Sequence, residues 1–87
     1  MTNHTGVSVH DVLRAANKIA GVDLREPCTK RSIAHMRFAA FAAAREIVGA
    51  SYPRIGQVFG KDHTTVIWGV KRANRQAVER IAEAVRA

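Results

Sequence analysis

Ser51-Tyr52-Pro53-Arg54-Ile55-Gly56-Gln57-Val58-Phe59-Gly60-Lys61-Asp62-His63-Thr64-Thr65-Val66 is the stretch on which the interpretation of this chain turns. Ser51 is a good N-cap, and Pro53 stands in the first turn, where its missing N–H costs least. Ile55, Val58 and Phe59 then supply one apolar face before Gly60 ends the helix. Asp62 caps a second start, with Val66, Ile67 and Val70 in helical spacing. A short helix and a longer one joined by about three or four residues including Gly form the sequence pattern of a helix-turn-helix, here over residues 51 to 73.

In such a motif the N-terminal turn of the second helix enters the major groove with small polar side chains leading. That edge is Asp62-His63-Thr64-Thr65. Thr methyls suit thymine methyls, Thr hydroxyls donate or accept, His63 can donate to guanine N7 or O6, and Asp62 can accept from cytosine N4. The plainer interpretation makes Asp62 an ordinary N-cap with two threonines filling its first turn. The surroundings favour groove reading. Lys61 precedes the turn and Lys71, Arg72 and Arg75 follow it, while Val66 and Val70 face the core. Cations on both sides of a polar tip suit phosphates flanking a groove.

The rest of the chain is also helical in pattern. Ser8, with Asp11 three residues on, caps an amphipathic run through Val9, Val12, Leu13, Ala16 and Ile19 that stops at Gly21. Asp23 to Glu26 make one short turn, and Pro27 opens a basic, exposed connection, Cys28-Thr29-Lys30-Arg31. Ser32 is the next cap, for an Ala-rich helix that presents Met36, Ala40, Ala43, Ala44 and Ile47 on one face and stops at Gly49. The sequence leaves open whether the last helix continues from His63 to the C-terminus; unbroken, it would be about 25 residues or roughly 37 Å long and would overhang a small domain. Its later stripe, Ala77, Ile81 and Val85, folds back on the first helix or pairs with a second copy. The expectation is thus a monomer or a weak homodimer through residues 76–87. No strand pattern or repeat interrupts this, so residues 1–87 read as one all-α domain.

Eighty-seven residues, 47% of them apolar, are enough for one small core. A chain this short spares no room for a buried cofactor pocket. The net charge of +7 lies wholly in residues 27 to 75. There Lys30, Arg31, Arg37, Arg45, Arg54, Lys61, Lys71, Arg72 and Arg75 face only Glu46 and Asp62, while both ends are neutral. Such segregation asks for a polyanion, and nucleic acid is the commonest. The longest apolar run, Phe38 to Ala44, is far short of a membrane span, and no basic leader precedes an apolar stretch. A single cysteine, Cys28, forms no internal disulfide. These features predict a soluble cytoplasmic chain associated with the nucleoid. His4 and His10 lack partners at metal-ligand spacing, His35 near Arg31 and Arg37 is expected in solvent rather than on a phosphate, and Asp62 with His63 falls short of the about three protein ligands a catalytic metal needs. No enzyme, metal or cofactor is expected. Trp68 and Tyr52 lie on different helices and make no stacking platform; core packing or a groove-edge contact is the expectation for each.

The segments Ser51 to Gly56 and Phe59 to Val66, above all Asp62-His63-Thr64-Thr65-Val66, resemble the C-terminal DNA-binding domain of the bacterial replication initiator DnaA family. Val9 to Ala20, Arg31-Ser32-Ile33-Ala34 to Arg37, and Ala44-Arg45-Glu46-Ile47 resemble that domain in order and spacing, and the likeness covers residues 7 to 73. It implies a Trp-repressor-like helical fold that binds a short asymmetric duplex box. It further implies Asp62, His63, Thr64 and Thr65 in the major groove, Lys30 or Arg31 in the minor groove, and Arg37, Lys61, Lys71 and Arg72 on the backbone, with Arg54 and Arg75 adding to the phosphate contacts.

Four departures from the family pattern predict an altered sequence preference. Gly60-Lys61 is one residue shorter than the usual Gly-Gly-Arg, Thr29 stands where the minor-groove Arg is expected, Phe38 replaces a usual Gln, and Trp68 replaces a polar groove-side residue. The chain contains no phosphate loop ending in Gly-Lys-Ser or Gly-Lys-Thr. With its own initiator Met, the chain reads as a stand-alone regulator or accessory factor of transcription or replication. The alternatives are a protein-interaction module acting on the initiator or the transcription machinery, a binder of structured RNA, and an excised fragment of a full-length initiator.

Overall fold

A computed structural model describes residues 6–28 and 30–86; His4 and Thr29 lie outside them. Among the described residues the elements are α1 (Val9–Ala20), α2 (Arg31–Ala43) continuing into a π-helical turn (Ala44–Val48), α3 (Tyr52–Phe59), α4 (His63–Arg72) and α5 (Arg75–Arg86). There is no strand among them.

Helix α1 begins as its sequence dictates. Ser8 Oγ accepts from the Asp11 N–H, and the Asp11 carboxylate accepts from the Ser8 N–H at 2.8 Å, so two otherwise orphaned donors are satisfied reciprocally. Arg14 pairs with the same carboxylate one turn on. The expected turn at 23–26 is present, closed by the Glu26 N–H donating to the Asp23 carbonyl.

Helix α2 is the centre of the domain, packing against α1, α4 and α5. Ala39, Ala40, Phe41, Ala42, Ala43 and Ala44 are all buried, so small side chains let neighbours approach on several sides while Phe41 supplies the bulk. Phe41 meets Phe59 of α3 edge to face, with centroids 5.0 Å apart. The helix starts earlier than Ser32 predicts. Lys30 holds the N-cap position without a side-chain bond, and Ser32 lies exposed inside the first turn. Solvent reaches this end, so its free N–H groups need no side-chain cap.

The end of α2 widens into the π turn before Gly49, at φ 73°, stops it. Both charged residues of that turn tie neighbouring elements. Arg45 lies 4.5 Å from the Tyr52 ring centroid and donates to the Ala50 carbonyl, and Glu46 accepts from Arg75.

The C-terminal stretch divides into two helices. Ala73 turns extended (φ −65°, ψ 136°), and Asn74 starts α5 by accepting the Ala77 N–H on its side chain at 3.2 Å. Asn is an effective N-cap, and α5 then lays Val78, Ile81 and Ala82 against α1 and α2. The domain measures 34 Å in its longest dimension, whereas a continuous helix would itself have been roughly 37 Å. Folding back removes that apolar stripe from water, which an overhanging rod would not. Ile81 is fully buried and Ala77 and Val85 are partly buried against the core, which is the fold-back of the two arrangements expected for this stripe.

Candidate nucleic-acid interface

Two glycines fix where α4 lies. The α3–α4 turn closes when the Lys61 N–H donates to the Gly56 carbonyl at 2.8 Å. A Cβ on Gly56 would stand 2.4 Å from the Lys61 carbonyl oxygen, so only glycine permits so tight a return. On the opposite face of α4, a Cβ on Gly69 would stand 2.6 Å from the Phe41 ring and 2.8 Å from the Phe38 ring. With Val66 fully buried beside it, Gly69 lets α4 press directly on α2.

The other face of α4 is open. Asp62 occupies the N-cap position, yet its carboxylate takes no backbone N–H; it stands 3.3 Å from His63 Nδ1, and both side chains are exposed. Thr64 and Thr65 are exposed as well. The four residues of the tip are therefore brought together at the surface as the sequence predicts, and Asp62 is not serving as a side-chain cap. One turn further on, Trp68 is 57% exposed, with the Arg72 guanidinium 4.1 Å from its ring centroid. Of the two roles expected for Trp68, core packing is excluded. Tyr52 is half-buried beneath Arg45.

The expected phosphate-binding cations divide. Arg54, Lys71 and Arg72 are exposed and Lys61 is half-buried, and among the described residues none of them is in an ion pair; the same holds for Lys30 and Arg31, exposed at the start of α2. Arg37 is buried and departs from the phosphate-binding role expected of it. Its side chain is only 8% exposed, with Nε donating to the Leu24 carbonyl at 2.9 Å and Nη2 to the Glu26 carbonyl at 3.0 Å. Leu24 is buried within the 21–28 connection, and Arg37 supplies its carbonyl and that of Glu26 with donors that no helix or sheet provides. Arg37 therefore cannot reach a phosphate. Arg75 is compensated, binding Glu46 through both terminal nitrogens at 2.8 and 2.6 Å and holding that carboxyl below its ordinary range.

Sequence reasoning missed Glu46 as the partner of Arg75, because the two stand 29 positions apart. It also missed a shallow notch between α2 and α4 lined by Phe38, Thr64, Thr65 and Trp68. Half of that signal is present in the sequence, since Trp68 follows Thr64 and Thr65 by four and three positions and so shares their face. No three His, Cys, Asp or Glu residues come together at metal-binding distances among the described residues, nor is any helix there long and apolar enough to cross a membrane.

Residues 7–73 match the family described as the bacterial DnaA protein helix-turn-helix. Over 58 residues the chain is 40% identical to the chromosomal replication initiator protein DnaA of Mycobacteroides abscessus, an alignment covering 67% of this chain. It spans only 12% of that protein's length.

Proposed function

The chain belongs to the bacterial DnaA helix-turn-helix family, a DNA-binding family linked to replication initiation, and on that premise we propose that it binds duplex DNA sequence-specifically as a regulator or accessory factor without ATPase or other catalytic activity. The observation that carries this reading is the exposed Asp62–Thr65 tip, set on a helix seated by Gly56 and Gly69 between unpaired Lys61 and unpaired Lys71 and Arg72.

Binding has two layers. Lys61, Lys71, Arg72 and Arg54 release counterions from the phosphates, contributing about 0.9 of log–log salt slope per phosphate neutralised. Lys30 and Arg31 reach the minor groove from the start of α2. Asp62, His63, Thr64 and Thr65 read base edges, at about 1–3 kcal/mol of discrimination for each good contact.

Duplexes enriched from a random pool by the intact chain test this reading. His63→Ala is expected to bring affinity for the enriched duplex towards that for random DNA, a loss of roughly 5- to 150-fold, while Lys71→Ala weakens both alike. Equal losses on both duplexes in both variants contradict the division of roles. The short span of the match in its relative supports a second reading, that the chain is a piece of a full-length initiator. The mass of the native gene product separates the two.

A further inference from the structure

Among the described residues, Val22 and Trp68 are the large apolar side chains left exposed, and Trp68 stands beside the reading edge. An indole held in water is costly, and this one is held in place: Arg72, one turn on, stacks over one face of the ring. Phe38, reaching from α2, supplies a second aromatic wall, and His35 meets it edge to face at 6.2 Å. Gly69 makes this juxtaposition possible, because a Cβ there would strike the Phe38 ring. The result is a notch of about 260 Å³ lined by Phe38, Thr64, Thr65 and Trp68, free of charged side chains, in a surface otherwise dominated by Lys and Arg.

A duplex offers little that is apolar. Along the major groove the apolar group on a base edge is the C5-methyl of thymine; cytosine carries only hydrogen at that carbon. We propose that the Phe38–Thr64–Thr65–Trp68 notch receives a thymine methyl group, making Trp68 and Phe38 determinants of base preference beside the polar tip. This rests on the duplex-binding reading above and adds a base identity to it. Phosphate attraction by Lys71 and Arg72 brings the groove wall to the notch, and the methyl leaves water between the two rings and the threonine methyls. Arg72 both stacks on Trp68 and bears the charge that draws the strand.

Deoxyuridine substitution isolates the methyl, since it deletes that group and keeps every donor and acceptor of the base. In a duplex enriched from a random pool by the intact chain, each thymine is replaced singly by deoxyuridine and binding is measured. The expected result is one position, or two adjacent ones, where the loss weakens binding by about fourfold, the value of burying one methyl-sized group. In Trp68→Ala, and independently in Phe38→Ala, the same deoxyuridine duplex and its thymine parent bind alike. Trp68 is exposed, so its truncation leaves the core intact. A uniformly silent deoxyuridine series, or a sensitive thymine that stays equally sensitive in both variants, overturns the assignment while leaving duplex recognition standing. Failure to enrich any duplex defeats the duplex-binding reading, and this inference with it.

Discussion

Arg37 and Arg72 carry the same charge on adjacent helices, and the domain uses them oppositely. Around Arg37, where α1, the 21–28 connection and α2 meet, polar groups satisfy one another. The guanidinium takes two loop carbonyls, Asn17 Oδ1 accepts the Leu24 N–H at 2.8 Å, and Asp23 is bound by Arg25. Around Arg72, on α4, the cations have no acidic partner among the described residues and the largest side chain is left half in water. One region is complete within the chain; the other has unsatisfied charge and apolar surface side by side. A net charge by itself does not reveal this division, because both kinds of arginine count equally towards +7.

Breaking the completed side should cost stability and leave DNA contacts alone. Arg37→Met keeps much of the aliphatic bulk but strips the Leu24 and Glu26 carbonyls of their donors. It is expected to lower unfolding free energy by about 1–3 kcal/mol, the penalty for orphaned buried polar groups. Urea denaturation measures this, and affinity per folded molecule should be unchanged. A loss of affinity with intact stability would place Arg37 on the DNA after all.

A smaller effect is expected where the two behaviours meet, at the Arg75–Glu46 bridge. Both side chains are largely exposed, so Glu46→Gln should cost under about 1 kcal/mol. It also frees a cation, and non-specific duplex affinity at low salt is expected to rise. Unchanged salt dependence in this variant would show that Arg75 lies away from the bound strand.

The smallest effect belongs to Asp23. The Arg25 guanidinium first, then the Arg25 N–H, hold its carboxyl down from 3.8 to about 2. A carboxyl whose pKa falls on folding stabilises the native state fully above its unfolded value. That contribution fades as the pH drops from about 4 to 2. Stability measured across that window should decline slightly less steeply in Asp23→Asn than in the parent, and an NMR titration reads the carboxyl directly.

Local chemistry made much of this domain legible. The Ser8–Asp11 capping box, the Ser51 cap with Pro53, and the left-handed glycines at 21, 49 and 60 mark helix ends within a few residues of their own sequence. Asp62 to Thr65 were legible as an exposed tip for the same reason. Two failures are local, the Lys30 start of α2 and the overlooked Asn74 cap; the rest are non-local. Apolar spacing runs unbroken through Val70, Ala73, Ala77 and Ile81, so nothing in the period announces the break at Ala73, which follows from where α1 and α2 leave room for α5. The partners of Arg37 are backbone carbonyls 11 and 13 residues away, which no side-chain pattern displays. The π turn adds an extra residue to a helical repeat that the alanines of α2 would continue equally well as an ordinary helix.

The bend at Ala73 and Asn74 also sets how much polypeptide a groove would hold under the proposed mode of binding. Ten residues rise only about 15 Å, not far above the roughly 12 Å breadth of a major groove. Whatever follows is carried off against the far side of the molecule. Under the proposed mode of binding, lengthening or recharging that trailing segment is therefore expected to leave the reach of α4 unchanged.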